Sequence, residues 1–299
     1  AVLLKELGIL GDIVFHHPKD LQDGKVAVTE NDMLTNLPYV HGCGFCFDHH
    51  ASEALRNEGK PTPGYILQPE AKSAARVVYD YYGGKASFPK ISDAMMEAVD
   101  KADSAGFSED DVLEPRGWAL LSFLMDARTG LGRFRDFRVS NYQLMMMLID
   151  CCRDLTVDEI LELPDVKERV ELFHTQHALF RDQISRVADV HDNLVVLDLR
   201  DESVIYAGNR FVVYAMFPKC DLSMHVMWGR EKMNTVYTVG KSIFGRRSEI
   251  EVGELMLTHG GGGHHAAGTC QGPNDTAEAL KDALIGQLVT VPVRAAACA

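Results

Sequence analysis

Asp48-His49-His50 sets three metal-seeking side chains in a row. Imidazole nitrogen and carboxylate oxygen together suit Mn, Fe, Co or Zn. The triplet follows Phe45-Cys46-Phe47, whose aromatic residues favour a strand. Open α/β sheets place their ligands at the carboxyl ends of strands. A second chemical stretch stands near the carboxyl end of the chain, Gly260-Gly261-Gly262-Gly263-His264-His265-Ala266-Ala267-Gly268. Glycines strip the loop of side chains and permit positive φ, so its backbone can come close to a ligand. Successive N–H groups in such a loop can cradle an anion. Ala266 and Ala267 read as the opening of a helix behind the loop, whose amino end would add positive potential. The stretch has neither the Lys-Ser/Thr of a P-loop nor the spacing of a dinucleotide fingerprint.

The composition narrows what such groups could act on. A length of 299 residues suits about two domains, and 46% hydrophobic residues are ample for a core. A net charge of −13 argues against a broad duplex-binding surface. It leaves room for a short anionic substrate held by metals and a few arginines. No apolar run approaches the ~18 residues that span a bilayer, and no signal peptide is visible. The seven cysteines are scattered, which fits a reducing cytoplasm. Cys43 and Cys46 form a single C-x-x-C without the second pair of a structural zinc site, so they read as small buried residues.

These groups need elements to hold them. Residues 1–8 read as the later turns of a helix closed by Gly8. Residues 12–17 read as a strand ended by Pro18; alternation sends His16 and His17 to opposite faces, so they do not share a metal. Residues 25–28 read as the next strand, which puts Asp32 just past a strand end, with Glu30 as the rival acid. Helical spacing is expected over 51–58, 71–82 and 92–102. The last of these leads into Asp103-Ser104-Ala105-Gly106-Phe107, with Asp100 one turn earlier as a surface acid. The middle is helical over 118–131, 142–153, 157–163 and 166–190, the last helix serving as a connector between lobes. Met145, Met146 and Met147 read as packing. His174 and His177 lack a third ligand nearby and read as structural. Strands are expected over 194–199, 204–206, 211–217, 222–228 and 235–239, then helices over 252–259 and 275–288.

Asp48-His49-His50 together with the Gly-Gly-Gly-His run resembles the DHH phosphoesterase superfamily, in the branch with a DHHA1 carboxyl domain. The resemblance covers both ends of the chain and is weak in the middle. That branch holds RecJ-type exonucleases, nanoRNases active on pAp, cyclic-dinucleotide phosphodiesterases and exopolyphosphatase-like proteins. The resemblance implies an α/β fold in two lobes with the active site in the cleft between them. A doubly wound, mostly parallel sheet would occupy 1–115, a helical linker 116–190, and a smaller mixed-sheet domain 191–299. It also implies a strand and a D-x-D-G metal motif ahead of Ala1, about fifteen residues by strand and turn geometry.

The same resemblance implies two divalent ions, Mn²⁺ foremost, about 3.5–4 Å apart with a bridging hydroxide. Asp32 would bridge them, His49 would complete one site and Asp103 the other. Asp48 would orient His49 or the nucleophile. His50 would face the substrate phosphate and assist the leaving group. Arg247, or its neighbour Arg246, would grip phosphate together with Gly261, Gly262, Gly263 and His264. The expected activity is metal-assisted hydrolysis of a phosphoester in a small nucleotide: an oligoribonucleotide, pAp or a cyclic dinucleotide. The partners would be that small phosphorylated substrate or a short single strand, without duplex or membrane, and with a homodimer left open. Two alternatives stand beside this reading. One is an exopolyphosphatase-like phosphoanhydride hydrolase. The other is a nucleotide-binding protein without catalysis, favoured by the missing first motif. Family-II pyrophosphatases lack the G-G-G-H run and rank low.

Overall fold

A computed structural model describes residues 1–50, 53, 62–245 and 247–289. The helix expected over 51–58 falls, apart from Glu53, outside them, as does Arg246. The chain forms two compact units. One comprises Ala1–Gly106, Gly117–Ala119 and Val139–Leu163; the other comprises Phe107–Arg116, Leu120–Arg138 and the chain from Pro164 on.

The first unit is built on three parallel strands, β1 (Met33–Thr35), β2 (Phe45–Asp48) and β3 (Tyr65–Leu67), in that order. Strand alternation sends Phe47 and Cys46 to opposite faces, and both are fully buried. Phe47 packs with Leu3 and Leu4 of α1 (Val2–Glu6) and with Val77 and Val78 of α3 (Ala74–Tyr81). Cys46 packs with Leu34 of β1 and Leu21 of α2 (Pro18–Gln22). A sheet covered on both faces accounts for the apolar run before Asp48. Two serines start the helices that follow. Ser73 accepts the N–H of Arg76 to open α3, and Ser92 accepts that of Met95 to open α4 (Asp93–Asp103).

Several expectations change here. Residues 12–17 form no strand; His17 caps α2, its Nδ1 accepting the N–H of Lys19 at 3.2 Å. Residues 25–28 also form no strand, although Val26 and Val28 still pack beside Leu21 and Cys46. Both are partly buried, but no strand among the described residues pairs with them, and the strand comes later, at Met33. Asp100 is buried: its carboxylate accepts Ser73 Oγ at 2.7 Å and the Arg76 guanidinium at 3.0 and 2.7 Å. It ties the amino end of α3 to α4.

The second unit holds a six-stranded mixed sheet in the order β4-β5-β6-β7-β9-β8. The strands are β4 (Ala188–His191), β5 (Leu194–Asp198), β6 (Leu222–Trp228), β7 (Thr235–Lys241), β8 (Gly262–His264) and β9 (Ala267–Gly272). Only the β5–β6 pairing is parallel. Among the described residues this sheet is the larger of the two, not the smaller. The long helix Pro164–Val187 ends three residues short of Val190, because the chain turns at Asp192 (φ 50) and pairs β4 back onto β5. Residues 211–217 were expected as a strand and instead hold the short helix Val212–Met216. There the Asn209 side chain accepts the Phe211 N–H at 3.0 Å, and this local capping outweighs the β-branched pattern. The core joins Leu222, Met224 and Val226 to Val252 and Met256 of α5 (Val252–Thr258) and to Leu284 of α6 (Ala277–Val289). No described helix is long and apolar enough to cross a membrane.

Candidate active site

The carboxyl end of β2 delivers Asp48 into the interior, with no exposed surface. Its Oδ1 accepts the backbone N–H of His49 at 2.8 Å and the ring Nδ1–H of His50 at 2.7 Å. One carboxylate oxygen therefore holds both following residues. The Asp48 carboxylate raises the His50 pKa above its ordinary value. His50 is half-exposed, with its Nδ1 engaged by Asp48.

His49 is oriented from elsewhere. Its Nδ1 lies 3.0 Å from the carbonyl of Ala71, in the loop after β3, and a carbonyl can only accept. The ring proton is thus on Nδ1, and neutral His49 presents a lone pair on Nε2. That Nε2 is enclosed, makes no hydrogen bond among the described residues, and faces Asp103 Oδ2 at 3.1 Å. Two acceptors so close repel unless a positive charge joins them. Without a metal, the Asp103 carboxylate raises the His49 pKa, and a proton fills the role. Asp103 is set by the end of α4, where Ser104 Oγ donates back to the Asp100 carbonyl at 2.6 Å and Ala105 turns at φ 51. Asp48 Oδ2 is a second buried polar atom without a partner among the described residues. The His49–Asp103 donor pair fits a divalent cation. Among the described residues, no group of three or more His, Cys, Asp or Glu gathers for a metal.

Asp32 is not brought to this place. It precedes β1, and the register pairs Met33 with Phe45, so Asp32 stands at the amino end of the sheet, about 13 Å of strand from Asp48. Its Oδ2 accepts the Thr29 N–H and hydroxyl at 2.7 and 2.8 Å, a turn-closing role. The expectation failed because the strand was placed at 25–28. The residue at the carboxyl end of β1 is Asn36, next to Thr35, which pairs with Phe47. Asn36 donates its N–H to the Phe47 carbonyl at 3.0 Å, is exposed and has φ 57. Nothing in the sequence alone marked it, because an amide beside Leu-Pro reads as a turn.

In the second unit the glycine run is not a loop before a helix. Gly260 (φ 76) closes α5, and Gly262–His264 is β8, paired antiparallel with β9, which begins at Ala267. The amino-end potential expected from a helix at Ala266 is absent. Close packing explains the glycines. A Cβ on Gly261 would fall 2.0 Å from the Thr269 carbonyl, and one on Gly263 2.2 Å from that of Ala267. A Cβ on Gly253 of α5 would fall 2.6 Å from Gly263. The helix lies directly on the hairpin. Gly260 and Gly262 have open space where a Cβ would go, and of the two only Gly260 has a positive φ. His264 ends β8 exposed, while His265 pairs with Glu251 at 2.5 Å. Arg247 donates through Nε to Asp221 Oδ1 at 2.7 Å, and Asp221 is buried. The guanidinium is thereby anchored at one edge.

Compared with solved structures, the chain is 55% identical to a pGpG-specific phosphodiesterase, PggH, from Vibrio cholerae, over 96% of this chain and 93% of that one, with a TM-score of 0.86. This chain belongs to the DHH phosphoesterase family, in the branch with a DHHA1 carboxyl domain. An exopolyphosphatase-related protein from Bacteroides fragilis matches at 13% identity and a TM-score of 0.45, over 81% of this chain and 63% of its own, too distant to bear on function. No family model and no curated protein sequence matches. As a DHH-family enzyme the chain is a hydrolase acting on phosphoester bonds. The triplet that names the family is the one at the end of β2, and its three residues divide into a holder, Asp48, and two held imidazoles.

Proposed function

We propose that this enzyme is a divalent-cation-dependent phosphodiesterase that hydrolyses a short 5′-phosphorylated dinucleotide of the pGpG type. The observation that carries the reading is near-full-length similarity, at 55% identity, to a phosphodiesterase with that specificity. The polyphosphate alternative has no comparable support. The reaction adds one water across the internal phosphodiester: the new P–O bond forms, the 3′-oxygen leaves with a proton, and two mononucleotides result.

His49 Nε2 and Asp103 Oδ2 would hold the cation, with the Asn36 side chain as a neutral oxygen donor from β1. The ion, Mn²⁺ in our assignment, would supply Lewis-acid polarisation of the phosphate and an acidified water. His50, held through Nδ1 by Asp48 and half-exposed, can pass a proton from Nε2 to the leaving 3′-oxygen. Gly262, His264 and Arg247 of the second unit are assigned to the substrate, since Gly262 is open, His264 is exposed and Arg247 is anchored by Asp221.

The test is product analysis. Protein with Mn²⁺ should convert pGpG to GMP, and EDTA should stop it. Asp48→Asn, which keeps the shape but not the charge behind His50, should lower kcat roughly 10²–10⁴-fold with metal content unchanged. If no divalent cation supports GMP release from pGpG, the reading fails.

A further inference from the structure

In the second unit, two consecutive residues carry enclosed donors without a partner among the described residues. Asn209 is 1% exposed, and its Nδ2 has no hydrogen-bond partner. Its Oδ1 is already used by the Phe211 N–H, so the NH₂ is the end left over. The Nε of Arg210 is likewise enclosed and unpaired. The Arg210 guanidinium rests on the Phe211 ring, 4.4 Å from its centroid, and has no ion pair among the described residues.

The segment is held firmly. Ala207 N–H donates to Gln176 Oε1 at 3.1 Å, and Gly208 N–H donates to the Thr129 carbonyl at 2.9 Å. A Cβ on Gly208 would fall 2.0 Å from the Phe180 ring, so the chain passes flush against the long helix. The Gly208–Thr129 bond stitches this segment to the loop carrying Arg128. Arg128 is bound to Asp126 through Nε only, at 2.7 and 3.1 Å, which leaves its terminal nitrogens open. Burial first, then the Arg128 charge, lowers the Arg210 pKa from its ordinary value. Asp126, the carboxylate whose charge reaches Arg210, is ion-paired with Arg128.

We propose that Arg210, Asn209 and Arg128 form a binding site for a phosphoryl group. Guanidinium forks match phosphate oxygens, and the Asn209 NH₂ adds a neutral donor beside them. Three donor groups meet three oxygens, and the surplus positive charge meets the anion. The phosphoryl group is either the substrate's own 5′-phosphate or that of a separate ligand.

The test uses metal-free full-length protein and inorganic phosphate, with chloride at equal ionic strength as the control. Phosphate should raise the wild-type melting temperature by mass action. Arg210→Gln and Asn209→Asp should each lose at least tenfold in phosphate affinity by calorimetry. Asn209→Asp keeps the oxygen that caps Phe211, so the fold is retained while the donor is lost. A readout on wild type alone is the Arg210 Nε–H resonance, which should move on adding phosphate. The site is overturned if phosphate stabilises no more than chloride, if that resonance stays in place, or if both variants bind phosphate as wild type does. The source is read from kinetics with pGpG and with GpG, which lacks the 5′-phosphate; this arm alone rests on the phosphodiesterase reading. A tenfold rise in KM of Arg210→Gln for pGpG only assigns the site to substrate. Unchanged KM for both, with phosphate binding intact in wild type, assigns it to a separate phosphate ligand.

Discussion

His49 Nε2 and Asp103 Oδ2 stand 3.1 Å apart without a hydrogen bond between them. Each offers a lone pair to the same space. His49→Ala and Asp103→Ala should therefore each weaken Mn²⁺ binding at least tenfold, since each removes one of two facing donors. Equilibrium dialysis with elemental analysis measures this directly. Full Mn²⁺ occupancy in either variant would remove the pair from the metal site.

Asn36 closes β1 at the level where Asp48 closes β2. Asn36→Asp adds a charged oxygen there at little conformational cost, because Asp also tolerates left-handed φ. The variant should bind Mn²⁺ more tightly than wild type, and Asn36→Ala more weakly. Titration calorimetry reads both, and equal affinity in all three proteins would place Asn36 away from the ion.

The glycines separate packing from binding. Gly261→Ala and Gly263→Ala force a Cβ into a backbone carbonyl and should cost about 1–3 kcal/mol of stability. Gly262→Ala meets nothing, so its melting temperature should stay near wild type while KM rises. A Gly262→Ala protein with an unchanged KM would show that the substrate does not touch this backbone.

His225 of β6, set between Leu197 of β5 and Thr238 of β7, has its pKa lowered by burial to about 4, from 6.5. The unfolded chain therefore takes up its proton before the folded one does. Its contribution to stability is complete above pH 6.5 and is lost as pH falls from 6.5 to about 4, with a slope approaching 1.4 kcal/mol per pH unit. His225→Phe should flatten that part of the profile. Denaturant melts across this range decide it, and parallel profiles for the two proteins would rule the histidine out.

Much of the fold was legible. Phe45-Cys46-Phe47 announced a strand buried on both faces, and the family triplet sat at its carboxyl end. Leu222–Trp228 alternates as a strand should. What escaped depended on distant partners. Val26 and Val28 are partly buried without a strand among the described residues to pair with. Asp100 looked like a surface acid because Arg76 and Ser73, which bury it, lie more than twenty residues earlier. The shape of the glycine run was misread because the helix that needs those glycines, α5, precedes them and contacts them only after the hairpin folds. Asp103 stood out by its Ser-Ala-Gly-Phe surroundings and was expected beside the same ions as His49; the structure sets the two side chains 3.1 Å apart.

The grip of Asp48 on both residues after it bears on portability. Three adjacent positions carry their own alignment, so Asp-His-His grafted onto the carboxyl end of a central strand in another parallel sheet should bring a correctly turned His50 with it. His49 would not travel as well, since its ring is aimed by a carbonyl borrowed from the loop of the next strand. A designer who copies the triplet must copy the Ala71 turn too, or obtain a proton donor without a metal.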